Sequence, residues 1–135
     1  MSISPDFDAF AARYDSGTPQ VVSTKLVADL ETPVSAYLKL ADGPHTYLFE
    51  SVEGGESWGR HSIIGLPAQT LYTLRGHRLT ITQYGEVIEE RELADPLVAL
   101  DAIRESFKVP KLPDLPAFTG GLVGYFGFET IGWIE

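Results

Sequence analysis

The sequence predicts an α+β domain, a largely antiparallel β-sheet with about three packed helices. Three observations predict it. Gln69 to Glu92 is rich in Thr, Leu, Ile and Tyr and is broken at Gly76-His77 and Tyr84-Gly85, which reads as a three-stranded meander. Ser4-Pro5, Thr32-Pro33 and Asp95-Pro96 each place a capping residue before a proline, at the head of a run with helical apolar spacing. Apolar residues make up 44% of the 135, enough for a core in a chain the size of one ordinary domain.

Ser4 is the expected N-cap of the first helix, with Pro5 at its first position, Phe7, Phe10, Ala11 and Tyr14 on one face, and Gly17 as its stop. Gln20 to Ala28, rich in valine and threonine, reads as a strand. The second helix starts at Thr32-Pro33, runs through Tyr37 and Leu40 and ends near Gly43. Tyr47-Leu48-Phe49 is a short apolar strand leading into Glu50-Ser51; a polar loop, Val52 to Ser57, follows, and Trp58 to Leu66 resumes an extended pattern. The meander strands are Gln69–Arg75, Arg78–Tyr84 and Glu86–Glu92. Asp95-Pro96 caps the third helix, whose stripe of Leu97, Leu100, Ile103 and Phe107 is expected to be buried.

Residues 109–117 hold closely spaced prolines, which fit neither a helix interior nor a central strand, so this stretch is expected to be an ordered connector. Phe118 to Phe128 then reads as an apolar strand, in which glycines at 120, 121, 124 and 127 permit close approach of another backbone or a ligand. The apolar run reaches Ile134-Glu135 with no cap or polar tail. A truncated chain is therefore expected, and its exposed apolar area makes a homodimer possible.

Several function classes are excluded. The net charge of −9, from 19 acidic and 10 basic residues, repels phosphate backbones, and Arg75-Gly76-His77-Arg78 reads as a turn rather than a basic patch. No apolar run approaches the ~18 residues of a membrane span, and Met1-Ser2-Ile3-Ser4-Pro5-Asp6 is no secretory signal. Without cysteine there is no disulfide or thiolate, which fits a cytoplasmic setting. His45, His61 and His77 are isolated, with no pair at helical metal-site spacing, and neither a nucleophile elbow nor a phosphate loop occurs. The motifs offer no catalytic residue.

Three stretches are informative in combination: Glu31-Thr-Pro-Val-Ser-Ala-Tyr-Leu-Lys-Leu40, Tyr47-Leu-Phe-Glu-Ser-Val-Glu-Gly-Gly-Glu-Ser-Trp-Gly-Arg-His-Ser-Ile-Ile-Gly65, and Phe118-Thr-Gly-Gly-Leu-Val-Gly-Tyr-Phe-Gly-Phe128. In this order and spacing, from about Pro19 onward, they resemble the amino-terminal region of anthranilate synthase large subunits, in the chorismate-utilising enzyme family. The resemblance implies that residues 1–135 belong to a larger two-part fold whose catalytic domain is absent here. Such enzymes form anthranilate and pyruvate from chorismate and ammonia, using Mg2+ and a glutamine amidotransferase subunit. Their chorismate and magnesium residues lie in the later part of the chain, so no catalytic residue and no cofactor is expected in this one. The resemblance further implies an allosteric site for L-tryptophan, centred on a Leu-Leu-Glu-Ser motif that here reads Leu48-Phe49-Glu50-Ser51. Two alternatives stand beside it: the similar region of aminodeoxychorismate synthase, and a non-enzymatic small-ligand-binding module.

The chemistry of the motif suits an amino acid. Glu50 can accept a charge-assisted hydrogen bond from an ammonium, and the Ser51 hydroxyl can donate to a carboxylate or accept from the ammonium. Arg60 can pair with that carboxylate, or equally with Glu50 or Glu53. The plainer account of Glu50-Ser51 is a strand end turned to water. Tyr47 and Trp58 are expected to pack in the core or at its rim rather than stack on a ligand.

Overall fold

The computed structural model describes residues 3–50, 61–110, 112–113 and 115–134. It resolves into two compact units, one of Met1–Leu26, Leu74–Arg78 and Glu92–Glu135, the other of Val27–Thr73 and Leu79–Arg91. Among the described residues the α+β mixture holds, although the strands form three separate small sheets rather than one.

In the first unit, β1 (Ile3–Ser4) pairs antiparallel with β2 (Ser23–Thr24), Ile3 facing Thr24 and Ser4 facing Ser23. That pairing occupies Ser4, so the expected cap moves two residues on. Asp6 caps α1 (Phe7–Asp15), its carboxylate accepting from the Ala9 amide at 2.9 Å. The helix closes where Gly17, at φ 68°, turns its amide back to the Tyr14 carbonyl at 2.9 Å. The strand expected over Gln20 to Ala28 shrinks to β2, because β1 offers only two residues to pair with and the Gln20 side chain instead donates to the Phe10 carbonyl.

The third helix, α3 (Pro96–Ser106), begins as its sequence dictates. Asp95 accepts from the Leu97 and Val98 amides at 2.9 and 3.2 Å, and Pro96 is buried. Its stripe is less covered than its pattern requires: Leu100 and Ile103 are half-buried, while Leu97 and Phe107 are exposed. Phe118–Phe128 departs further from expectation. Residues 118–127 belong to no strand, and Phe128–Trp133 forms a 3-10 helix. A strand needs a partner, and none of the described residues pairs with this one.

In the second unit, α2 (Pro33–Leu40) starts with a reciprocal cap. Thr32 Oγ1 accepts from the Ser35 amide and Ser35 Oγ accepts from the Thr32 amide, at 3.1 and 2.9 Å. Ser35 Oγ also donates to Glu31 at 2.6 Å, and Glu31 pairs with Lys39. The helix packs on β3 (Tyr47–Phe49), where the Tyr37 and Thr46 hydroxyls share a 2.8 Å hydrogen bond.

β3 pairs antiparallel with β4 (Ile63–Gly65). The meander is β5 (Thr70–Arg75), β6 (Arg78–Gln83) and β7 (Glu86–Glu92), in that spatial order. Its turns lie where the sequence puts them. Gly76 takes φ 57°, and Tyr84-Gly85 takes φ 50° and 86°, the positive values that tight hairpin turns require. Leu79, on the central strand β6, is fully buried and is the only hydrophobic side chain so placed among the described residues. No helix among them is long and apolar enough to cross a membrane.

Candidate functional site

The candidate site begins at the end of β3. The register places Tyr47 opposite Gly65, Leu48 opposite Ile64 and Phe49 opposite Ile63. Tyr47 and Phe49 share one face of the strand, their ring centroids 4.9 Å apart. Glycine at 65 is required by the aromatic ring above it. A Cβ there would fall 1.9 Å from Cε1 of Tyr47, so the ring occupies the space a side chain would take. The expectation that Tyr47 packs within the fold therefore holds.

Glu50 follows β3 directly and is exposed. The strand before it is paired with β4, and α2 packs on that strand, the Tyr37 hydroxyl meeting that of Thr46. An exposed carboxylate can accept a charge-assisted hydrogen bond from an ammonium group. Ser51, Arg60, Glu53 and Trp58 lie outside the described residues. His61, where the described chain resumes, is exposed two residues before β4.

Sequence reasoning missed a cleft of about 600 Å3 in the same unit, between the Pro44-His45 corner, Leu66–Gln69 and Tyr84-Gly85. It is built on two left-handed residues, His45 at φ 59° and Tyr84 at φ 50°. The Tyr84 hydroxyl donates to the Gln69 side chain at 2.9 Å, and the Ala68 amide donates to the His45 carbonyl at 3.3 Å. The lining is mainly apolar and, among the described residues, includes no carboxylate, lysine or arginine. Glu50 does not line it. The turn residues were visible in the sequence, but their convergence needs three distant segments.

In the same unit Lys39 and Glu31 form a local tie. Hydrogen bonds from Lys39 and then Ser35 hold the Glu31 carboxyl below its ordinary range. Among the described residues, no three of His, Asp and Glu come together to hold a metal ion.

No family model and no solved structure matches the chain. Curated proteins do. Anthranilate synthase component 1 of Neisseria meningitidis serogroup B is 48% identical over 131 residues, 97% of this chain and 26% of that protein. The Pseudomonas putida protein of the same name is 45% identical over 114 residues, 84% of this chain and 23% of that protein. The Synechocystis protein, also so named, is 41% identical over 135 residues, 98% of this chain and 26% of its own length. The chain thus spans about a quarter of the length of the curated relatives it matches. Identity of this order, sustained along nearly the whole sequence, means that the chain belongs to the anthranilate synthase component 1 family.

Proposed function

We propose that this chain is the amino-terminal region of the large subunit of a cytoplasmic anthranilate synthase, and that it contributes part of a feedback site for L-tryptophan. The observation that carries the reading is 41–48% identity to proteins of one name over most of the chain. The name shared by the Neisseria, Pseudomonas and Synechocystis proteins favours it over aminodeoxychorismate synthase and over a free-standing binding module. The longer enzyme converts chorismate and ammonia to anthranilate and pyruvate. A glutamine amidotransferase subunit supplies the ammonia. Magnesium and the catalytic residues belong to polypeptide outside this chain.

In this reading Glu50 receives the tryptophan ammonium, Ser51 hydrogen-bonds its carboxylate and Arg60 neutralises it. The exposed carboxylate at the end of β3 supports the first of these roles. Removing one charged partner of a buried ligand pair costs on the order of 2–5 kcal/mol. Glu50→Ala or Ser51→Ala in the full enzyme is expected to raise the inhibitory tryptophan concentration tens- to thousands-fold, with uninhibited turnover nearly intact. Unchanged inhibition places the effector elsewhere. The 135-residue chain alone is expected to form no anthranilate from chorismate, ammonia and magnesium.

A further inference from the structure

Granting Glu50 the role proposed above, we infer that the hydroxyl pair of Tyr37 and Thr46 positions Glu50 for the ammonium group of the effector. α2 is then a support of the feedback site, acting through β3 rather than by touching the ligand.

The strand's alternation puts the helix and the carboxylate on one side. β3 is three residues long, with Thr46 directly before it and Glu50 directly after it. Tyr47 and Phe49 share one face. Carried one residue past each end, the alternation sets Thr46, Leu48 and Glu50 on the other. Tyr37 reaches Thr46 on that second face, the two hydroxyls 2.8 Å apart and both residues half-buried.

The strand needs such a support. Among the described residues β3 pairs with β4 alone, and a two-stranded sheet is marginal by itself. That pairing resists movement in the plane of the sheet. Movement out of the plane is resisted by what packs on the face, and α2 packs on this strand. The helix is itself braced on its far side. Glu31, Ser35 and Lys39 stand at four-residue intervals, and both Ser35 and Lys39 donate to the Glu31 carboxylate. Tyr37 is two residues from Ser35, roughly 200° of helical rotation, so it emerges on the opposite side, toward β3.

A charge-assisted hydrogen bond depends on direction as well as distance. Loosening the strand therefore weakens what Glu50 does for an ammonium while leaving the carboxylate in place. The hydroxyls can be removed one at a time with the packing kept, since phenylalanine fills the space of Tyr37 and valine that of Thr46.

Tryptophan inhibition of the full native polypeptide tests the inference, in the parent and in a Glu50→Ala background. Tyr37→Phe and Thr46→Val are each expected to raise the inhibitory tryptophan concentration about three- to tenfold, the weight of one neutral hydrogen bond. The double variant is expected to rise no further than either, and Thr46→Ser, which keeps the hydroxyl, to behave as the parent. In the Glu50→Ala background, where no carboxylate remains to be aimed, Tyr37→Phe and Thr46→Val are expected to add nothing. An equal rise in both backgrounds makes the pair a general prop of the fold and overturns the inference. So does unchanged inhibition in both hydroxyl variants when Glu50→Ala alone raises it, a result that leaves the Glu50 reading standing. Unchanged inhibition in Glu50→Ala refutes that reading, and the inference with it.

Discussion

Two stretches of this chain are written in strand-like residues, and only one forms strands. The meander of β5, β6 and β7 finds its partners within a few residues, across Gly76-His77 and Tyr84-Gly85, and it buries Leu79 completely. Phe118–Phe128 is at least as apolar, yet it pairs with none of the described residues and leaves Tyr125 and Phe128 almost wholly in water. The difference is whether a partner lies close by. A hairpin carries its complement in the adjacent sequence, whereas 118–128 meets no strand to pair with among the described residues.

The largest effect that separates the two regions is expected from cavity formation. Leu79→Ala in this chain should lower stability by ~2–5 kcal/mol, the usual cost of emptying a buried leucine site, whereas Tyr125→Ala should change it by less than about 0.5 kcal/mol. Urea unfolding of both variants measures this, and equal losses would erase the contrast. Next in size is Gly65→Ala. Its Cβ would enter the Tyr47 ring, so the β3–β4 pair should weaken by ~1–3 kcal/mol, as overpacking does. The penalty should shrink when Tyr47→Ala is already present, and a double-mutant cycle showing no coupling would mean that the ring is not the obstacle.

The smallest effect concerns α2. Lys39 and Ser35 lower the pKa of the Glu31 carboxyl in the folded chain, so the folded state holds its proton less tightly than the unfolded one. The resulting stabilisation is present at neutral pH. It fades as pH drops below the ordinary glutamate value and is gone below the lowered one. Glu31→Gln should therefore be slightly less stable than the parent at pH 7 and equal to it in acid, with the gap narrowed by salt because the pair is exposed. A gap that widened in acid would reverse the assignment.

What the sequence made legible follows the same division. Thr32 and Asp95 announce their helices because a cap acts on amides two or three residues away, and Gly76 and Gly85 announce turns because the conformation is their own. Ser4 misleads as a cap because its backbone is claimed by Ser23, nineteen positions along the chain, a pairing that no local rule signals. The α3 stripe is readable as a stripe, but how far Leu97 and Phe107 are covered depends on neighbours that the helix sequence does not specify. At the candidate site, Tyr47-Leu48-Phe49 was enough to place Glu50 at a strand end. The cleft beside His45 and Tyr84 was hidden, since no single segment encodes it.

The outer strand of the meander has one further consequence. Apart from Val87 and Ile88 every residue of β7 is charged, and the whole strand is exposed. Were two molecules to align these edges antiparallel about Glu89, that residue would face its own copy, Glu86 would face Glu92, and Ile88 would face Glu90. A parallel in-register alignment sets every glutamate beside its copy. Like charges directly opposed weaken a strand pair, so neither symmetric alignment is favourable. β7 can therefore lie open to solvent without becoming a seed for fibres, a protection that the uncharged run from Phe118 to Phe128 lacks.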